Sequence, residues 1–237
     1  MAILNIPVAA ITMNQAVAAV EQFITDEKPH LIATANAEMV MMAQDDNELA
    51  SILQRANLVV PDGAGVVWAS GYLGHPVPER VAGYDLTQHI LDQSAQKGWR
   101  IYFLGAAPGV AAKARDVALE RYPGVNIIGV RDGFFSPDEE SSIIEEIKKA
   151  RPQILLVALG VPKQEKWLDR HLHNLNIPIA MGVGGTFDVM AGIMERAPLW
   201  MQQSGLEWLY RLLKQPQRFM RMLALPKFII QVVKSKK

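Results

Sequence analysis

Small and polar residues follow nearly every short apolar run in this 237-residue sequence. The clearest examples are Thr34-Ala-Asn36, Pro61-Asp62-Gly63 and Gly182-Val-Gly184-Gly185-Thr186. Glycines allow a phosphate to approach backbone N–H groups at the start of a helix, and a carboxylate beside them can serve as a general base. The pattern indicates proton transfer on a phosphate-bearing substrate. The glycines alone are equally typical of tight strand-to-helix turns that bind no ligand.

Asp62 is the strongest candidate for a catalytic group. It follows the apolar run Leu58–Val60, and a carboxylate at that point can take a proton from a substrate hydroxyl. On local grounds a turn residue without chemistry is favoured, because Pro-Asp-Gly is also a good turn sequence. Arg80, in the loop that comes next, is a candidate cation for a phosphate group, with a solvated loop arginine as the alternative.

The sequence contains no clear pattern for a metal site. It has no Cys, and its five His residues are scattered. His171 and His173 are two positions apart, so on a helix they face different sides. There is no Asp-x-Asp after a strand to hold an ion with a sugar nucleotide, and no Gly-x-Ser-x-Gly elbow for a hydrolase. We therefore expect no metal ion and no cofactor.

The elements that would position these residues alternate along the chain. Strands are predicted at Leu31–Ala35, Leu58–Val60, Arg100–Leu104, Val125–Val130, Ile154–Leu159 and Pro178–Val183. Helices are predicted at about 13–26, 36–55, 84–97, 109–121, 137–150 and 162–173. Strands that are apolar throughout are buried on both faces, so the alternation predicts an α/β fold with a mostly parallel sheet flanked by helices. In such sheets ligands bind beyond the carboxyl ends of the strands.

The C-terminal segment differs from the rest in charge. Residues 196–237 carry nine Lys or Arg and one acid, Glu207, whereas residues 1–195 carry fifteen Lys or Arg and twenty-three Asp or Glu. The segment also contains large apolar side chains: Trp200, Trp208, Tyr210, Phe219 and Phe228. Basic residues among apolar ones suit an anionic lipid surface, with nucleic acid as the competing partner. We predict a body, 1–195, followed by a basic helical appendage, 196–237, that binds the membrane.

Three arginines of this appendage indicate a phosphate ligand. Arg211, Arg218 and Arg221 are spaced by seven and three positions, which places them roughly on one side of a helix unless Pro216 breaks it. Core packing is the alternative explanation for the neighbouring Trp residues. No apolar run reaches the ~20 residues that a membrane-spanning helix needs, so we expect peripheral contact. The N-terminus lacks the pattern of a signal peptide, and the absence of Cys fits a reducing compartment.

A set of motifs, in order along the chain, resembles the WecG/TagA/CpsF glycosyltransferases. The motifs are Thr34-Ala-Asn36, Pro61-Asp62-Gly-x-Gly-Val-Val67, Glu79-Arg80-Val-x-Gly83, Gly160-Val-Pro-x-Gln164-Glu165, Gly182-Val-Gly-Gly-x-Phe-Asp188-x-x-Ala-Gly192, and Arg196-Ala-Pro-x-Trp200 through Gly205-Leu-Glu-Trp208. Together they cover roughly residues 30–221, most of the chain. The ordered set is far more specific than any single motif.

The resemblance implies an inverting, metal-independent glycosyltransferase. Members of the family move a sugar from a UDP-sugar to an undecaprenyl-diphosphate-linked acceptor at the cytoplasmic face of the membrane. The best-known members add N-acetylmannosamine to lipid-linked GlcNAc in wall teichoic acid synthesis, and others make related cell-surface polysaccharides. The implied fold is a Rossmann-like catalytic body with a C-terminal appendage that touches the membrane and helps to complete the site.

The resemblance also assigns roles to individual residues. It makes Asp62 the base that acts on the acceptor hydroxyl. It places four residues at the substrates and their diphosphate groups: Thr34, Asn36, Arg80 and Gln164. Asp188 is expected at the nucleoside hydroxyls, with Phe134 or Phe135 stacked on the uracil ring. The appendage arginines 211, 218 and 221 would reach the lipid diphosphate or the leaving UDP.

The expected partners follow from this interpretation. They are a UDP-sugar donor, a polyprenyl-diphosphate-linked acceptor and an anionic membrane surface, without nucleic acid, and a homo-oligomer is compatible with them. Two alternatives remain open at the level of sequence. One is another UDP-sugar-dependent α/β enzyme, such as a hydrolase or an epimerase. The other is a non-catalytic module that binds a nucleotide or a lipid.

Overall fold

A six-stranded parallel sheet forms the centre of the computed structural model, which describes residues 1–26 and 28–236, without the side chain of Arg218. The strands are β3 (His30–Ala35), β4 (Leu58–Pro61), β5 (Arg100–Gly105), β6 (Asn126–Arg131), β7 (Ile154–Ala158) and β8 (Ile179–Gly182). A short antiparallel hairpin, β1 (Ala2–Ile3) and β2 (Ile6–Pro7), precedes them. The sheet order is β4-β3-β8-β7-β5-β6. The predicted α/β class is confirmed.

Helices cover both faces of this sheet. Along the chain they are α1 (Met13–Asp26), α2 (Ala37–Asp45), α3 (Asn47–Arg55), α4 (Ala64–Tyr72), α5 (Gly83–Lys97), α6 (Val110–Arg121), α7 (Pro137–Ala150), α8 (Lys163–Leu175) and α9 (Thr186–Met190). The C-terminal segment adds α10 (Leu199–Gln203), α11 (Glu207–Lys214), a 3-10 turn (Pro216–Arg218), α12 (Phe219–Met222) and α13 (Ala224–Ser235). No helix among the described residues is long and apolar enough to cross a bilayer.

Successive side chains of each strand point to opposite sides of the sheet, and helices cover both sides; only the edge strand β6 is partly buried throughout. Ile32, Phe103 and Leu156 belong to the core on one side, which α1, α5, α6 and α9 cover. Ala33 and Leu104 belong to clusters on the other side, under α2, α3, α7, α8 and α13. Packing on both sides therefore holds the strands rigidly, and it also fixes the positions of the residues at their carboxyl ends.

Two local features differ from the sequence prediction. The segment 36–55, predicted as one helix, is two helices, because the carboxylate of Asp46 accepts a hydrogen bond from the Leu49 N–H (3.0 Å) and caps α3. Asp46 also pairs with Lys166 (2.7 Å). Helix α4, which follows Asp62, was not predicted. Its sequence is apolar on all sides and contains two glycines, so no helical period was visible.

The C-terminal segment packs onto the body. Phe228 and Val232 of α13 are fully buried in the cluster that α2 and α4 form with the hairpin. Phe228 is therefore unavailable to lipid, contrary to its place among the apolar groups of the predicted membrane surface. Trp200, Phe219 and Met220 are exposed. The division into a body, 1–195, and a membrane-binding appendage, 196–237, stays a prediction.

Pro216 separates the arginines that the sequence placed on one helix. Helix α11 ends at Lys214, and a 3-10 turn leads into α12. Arg211 and Arg221 thus lie on different helices, and the side chain of Arg218 is outside the described part of the structure. Pro216 thus breaks the helix, the case in which the spacing does not place the arginines on one side, because a proline lacks the N–H needed to continue a helix.

Candidate active site

A cleft of about 870 Å³, open to solvent, lies at the carboxyl ends of β3, β4, β7 and β8. Residues of α11 and α12 form part of its wall, so the C-terminal segment and the sheet enclose it together. Its polar lining comprises Thr34, Asn36, Glu38, Asp62, Arg80, Gln164, Thr186, Arg196, Glu207, Arg211 and Arg221. Its position is the one that open parallel sheets use for ligands, and its converging polar groups are typical of a small-molecule site.

Asp62 sits directly after β4 at the base of this cleft. Its N–H donates to the carbonyl of Ala35 (2.9 Å), and the N–H of Val81 donates to the carbonyl of Pro61 (2.9 Å). These two bonds bring the loop that carries Arg80 beside Asp62. Arg80 Nη2 lies 3.6 Å from Asp62 Oδ1, and Arg80 Nε donates to the backbone carbonyl of Asp62. The predicted base and the predicted phosphate ligand are neighbours.

The surroundings of Asp62 favour a proton acceptor. Burial raises the pKa of the Asp62 carboxyl, and Glu207 raises it further, whereas the cations of Arg80 and Arg211 lower it less than burial raises it. A carboxylate with a raised pKa is a stronger base, and the neighbouring arginines favour its ionised form. The geometry therefore fits general-base chemistry at this position.

Glu207 bridges two arginines across the cleft wall. Its Oε2 accepts from Arg80 Nη2 (2.8 Å) and its Oε1 accepts from Arg211 Nη2 (2.8 Å). Glu207 is only 6% exposed, although it is the first residue of α11. Sequence alone assigned it no role, because its signals were a place in the Gly205-Leu-Glu-Trp208 motif and being the single acid among nine basic residues. The cleft thus contains an alternating series of acidic and basic groups.

Thr34 and Asn36 line the cleft as predicted. Thr34 is the next-to-last residue of β3, and a Cβ on Gly83 would come within 2.9 Å of its methyl group, so the start of α5 approaches it closely. The amide oxygen of Asn36 accepts from the Met39 N–H (2.9 Å) and caps α2. Capping uses that oxygen, so any further hydrogen bond from the side chain is donated by its amide nitrogen.

Gln164 lines the cleft, but its side chain is buried and holds two loops. Its Oε1 accepts from the backbone N–H groups of Gly160 (3.2 Å) and Gly184 (3.1 Å), which follow β7 and β8. Its Nε2 donates to Glu165 Oε1 (2.7 Å), and burial raises the pKa of Glu165 to about 6. Gly182 leaves room for the pair, because a Cβ there would lie 2.4 Å from Gln164 Nε2. Direct contact with substrate stays a prediction for Gln164.

Asp188 borders an adjoining part of the cleft. This part is lined by Gly160, Gly184 and Gly185, and Arg211 and Arg221 reach it from the C-terminal segment. Burial raises the pKa of the Asp188 carboxyl. Arg221 Nε lies 3.7 Å from Glu38 Oε1, an acid that the sequence analysis did not single out. A carboxylate beside glycine loops and arginines is a suitable environment for a nucleoside diphosphate.

The structure does not bring Phe134 to this cleft. Phe134 follows β6, the edge strand three positions from β8 in the sheet, which is roughly 14 Å at ~4.8 Å per strand. Its ring is 76% exposed, and Phe135 packs under Lys163 instead. Both rings follow a predicted strand, but the order of the strands in the sheet cannot be read from the sequence. A uracil contact by either ring receives no support from this geometry.

Arginines supply the positive charge of the cleft. Arg196 forms two hydrogen bonds with Asp85 (2.5 and 2.9 Å), and Arg80, Arg211 and Arg221 each lie near a carboxylate. Within residues 1–26 and 28–236, no three His, Asp or Glu side chains are grouped as a metal site would require. The arginines are the groups placed to bind an anionic substrate.

Comparison with known proteins agrees with this geometry. The family described as "Glycosyl transferase WecG/TagA/CpsF family" matches the chain over residues 1–237. It is 37% identical to the N-acetylglucosaminyldiphosphoundecaprenol N-acetyl-beta-D-mannosaminyltransferase of Bacillus spizizenii over 215 residues, 91% of this chain and 83% of that protein. It is 34% identical to the protein of the same name from Bacillus subtilis over 234 residues, 98% of this chain and 91% of that protein. The chain belongs to the WecG/TagA/CpsF family of glycosyltransferases.

Proposed function

We propose that this enzyme transfers N-acetylmannosamine from UDP to the GlcNAc of an undecaprenyl-diphosphate-linked acceptor. The observation that carries the proposal is the Asp62–Arg80 pair at the strand ends, facing arginines of the C-terminal segment. The names of the two Bacillus relatives supply the acceptor and the sugar. The diphosphate-binding arginines and the family resemblance support a UDP-linked donor. Wall teichoic acid, or a related cell-surface polysaccharide, is the proposed destination of the product.

The reaction is a single displacement. Asp62 takes the proton of the acceptor hydroxyl while that oxygen attacks the anomeric carbon of the donor sugar. The bond between the anomeric carbon and the β-phosphate oxygen breaks in the same step, and UDP leaves with the electron pair. Attack from the face opposite the leaving group inverts the anomeric configuration. Arg80, Arg211 and Arg221 stabilise the charge that grows on the leaving diphosphate.

The two sides of the cleft suit the two substrates. The side near Asp188 is polar and bordered by glycine loops, and we assign the UDP moiety to it. A second adjoining part, which Asp62 also lines, has apolar groups that include Trp208, Met222 and Leu225. We assign the lipid-linked acceptor to this part, because its isoprenoid chain needs an apolar surface to lie against. Asp62 lines both this part and the main cleft, where the acceptor hydroxyl and the donor sugar would meet.

A product assay tests the proposal. The protein is incubated with a panel of UDP-sugars and a short-chain polyprenyl-diphosphate-GlcNAc analogue, and the products are identified by mass. We expect one N-acetylhexosamine added to the acceptor and release of UDP. Release of free sugar or an epimerised UDP-sugar would favour another UDP-sugar-dependent enzyme. Binding of UDP without any product would favour a non-catalytic module.

We expect transfer to continue in excess EDTA. The diphosphate charge is met by Arg80, by Arg211 and Arg221, and by backbone N–H groups of the glycine loops. Initial rates are measured with and without the chelator, and with added Mg²⁺ or Mn²⁺. Loss of activity on chelation that either ion restores would contradict the prediction.

The C-terminal segment is proposed to hold the enzyme at the cytoplasmic face of the membrane as a peripheral protein. Lys227 and Lys234 of α13 are exposed, as are the apolar side chains of Trp200, Phe219 and Met220. Basic residues contribute ~1 kcal/mol each at an anionic surface, and that contribution falls with salt. Inserted apolar groups add a contribution that salt does not remove.

Replacing both α13 lysines by glutamine should weaken sedimentation with phosphatidylglycerol-containing liposomes at low salt. The matched control replaces two exposed lysines of the body, Lys113 and Lys149, and so makes the same change in net charge. We expect the control to bind as the wild type does. Equal weakening by both variants would mean that net charge, rather than the C-terminal surface, governs binding.

A further inference from the structure

Glu207 is a buried acid whose two oxygens serve two different parts of the chain. It begins α11, and it accepts one hydrogen bond from Arg211, on its own helix, and one from Arg80, in the loop before α5. Burial by itself would raise the pKa of the Glu207 carboxyl, but Arg211 and Arg80 outweigh it, so the pKa lies below its ordinary value. Glu207 is therefore a fixed negative charge between two cations.

These contacts join the C-terminal segment to Asp62. Arg80 Nη2 is 2.8 Å from Glu207 and 3.6 Å from the Asp62 carboxylate, and Arg80 Nε is bonded to the Asp62 carbonyl. The series Arg211–Glu207–Arg80–Asp62 runs along the cleft wall from α11, in the C-terminal segment, to the end of β4. All four residues line the cleft.

Without Glu207, the two arginines would not keep this arrangement. Each arginine has a long side chain with several rotamers, and two neighbouring cations repel one another. A carboxylate between them removes that repulsion and fixes one nitrogen of each guanidinium. An arginine has five N–H donors, so both arginines retain donors for a ligand. A rigid pair of donors binds a diphosphate with less loss of entropy than two mobile ones.

We propose that Glu207 is a positioning residue for the transfer reaction, which holds Arg80 and Arg211 where they meet the diphosphate and fixes α11 against the catalytic carboxylate. The inference rests on the proposed function. The competing explanation is an ion pair that only stabilises the fold. That explanation predicts a lower stability of variants but no specific change in catalysis once they are folded.

Three variants separate the two explanations. Glu207→Gln removes the charge at nearly constant shape. Glu207→Asp keeps the charge but is one methylene shorter, so it cannot accept from both arginines in the present geometry. Glu195→Gln is the matched control, because Glu195 pairs with Lys214 and Tyr210 of the same helix on the exposed side, away from the cleft. Folding of each is checked by circular dichroism and thermal unfolding before kinetics.

We expect Glu207→Gln to lower kcat/KM with the acceptor analogue by about 100-fold, the order of magnitude for misplaced catalytic groups. UDP affinity, measured by calorimetry, should fall as well, which gives a readout independent of turnover. The kcat/KM and UDP affinity of Glu207→Asp should lie between those of Glu207→Gln and the wild type, and those of Glu195→Gln should match the wild type. If Glu207→Gln does not fold, Glu207→Asp, which retains the charge, takes its place in the comparisons of kcat/KM and UDP affinity.

The pH profile supplies a readout that a purely structural role would not move. The charged groups around Asp62 are Arg80, Arg211 and Glu207, and of these only Glu207 raises its pKa. Loss of that negative charge lowers the pKa of Asp62, so the acidic limb of kcat/KM in Glu207→Gln should move to lower pH. Glu207→Asp retains the charge and should keep the wild-type limb.

A double-mutant cycle with Arg211→Gln completes the test. If Glu207 acts by holding Arg211, the double variant should lose little more kcat/KM than the worse single variant. Losses that multiply, or a folded Glu207→Asp with wild-type kcat/KM and UDP affinity, would overturn the inference. Failure of the proposed function is distinguishable from this outcome, because the wild type itself would then form no disaccharide product.

Discussion

Replacement of Asp62 by Asn is expected to lower turnover by roughly 10²–10⁴-fold, the usual contribution of a general base. Asparagine has nearly the same shape as aspartate but cannot accept the proton of the acceptor hydroxyl. Binding of UDP should remain nearly unchanged, because Arg80 and the glycine loops are kept. Turnover is followed by mass analysis of the product, and UDP affinity is followed by calorimetry.

Asp132→Asn is the matched control for this substitution. Asp132 also precedes a glycine after a strand, and its carboxylate accepts from the Phe134 N–H (3.0 Å), but it lies outside the cleft. Wild-type turnover is expected for this variant. Wild-type turnover in Asp62→Asn as well would reduce Asp62 to a turn residue. In the native enzyme, activity should be lost as pH falls through the raised pKa of Asp62, since the base must be deprotonated.

Phe228→Ala is expected to lower the free energy of unfolding by about 3–5 kcal/mol, the typical cost of emptying a buried phenylalanine site. The ring is fully buried between α13 and the body, close to Gly65 of α4. Urea unfolding measures the loss, and hydrogen exchange of the α13 amides shows whether the helix detaches first. The same ring contact means that removing residues 196–237 would uncover part of the core as well as the proposed membrane surface.

Phe219→Ala serves as the matched control for this prediction. Phe219 belongs to the same C-terminal segment, but its ring is 57% exposed, so its removal should change the free energy of unfolding by no more than about 0.5 kcal/mol. Equal small losses in both variants would mean that α13 contributes little to the stability of the body. A large loss in Phe228→Ala alone would confirm that the final helix is part of the core.

The strands were predictable because their signal is local. Each is a short apolar run with polar or glycine residues after it, and all six predicted runs overlap the six strands of the sheet. The α/β class and the ligand-binding edge follow from that alternation. Four residues of the cleft could be placed at one site from the sequence. Thr34 and Asn36 lie at the end of one strand, Asp62 directly follows the next strand, and Arg80 lies one loop further along.

The features that could not be predicted from the sequence depend on contacts between residues far apart in the chain. Glu207 meets Arg80 across 127 positions, and its place in the Gly205-Leu-Glu-Trp208 motif does not reveal that contact. Phe134 was misplaced because strand order is a property of the whole sheet. The burial of Phe228 depends on a surface of α2 and α4 made nearly two hundred residues earlier, so composition alone assigned the ring to lipid.

The position of α13 in the core has a consequence for how the enzyme is made. Strand β3 pairs with β8, where His30 is the register partner of Ile179, and α13 then covers helices from the first third of the chain. A growing chain therefore exposes an unpaired strand edge until β8 has been made, and an apolar face until α13 has been made. Because Glu207 and Arg211 also come after the last strand of the sheet, the cleft is completed only once α11 and α12 have been made. We expect prematurely terminated chains to be degraded rather than to act as partly active enzymes.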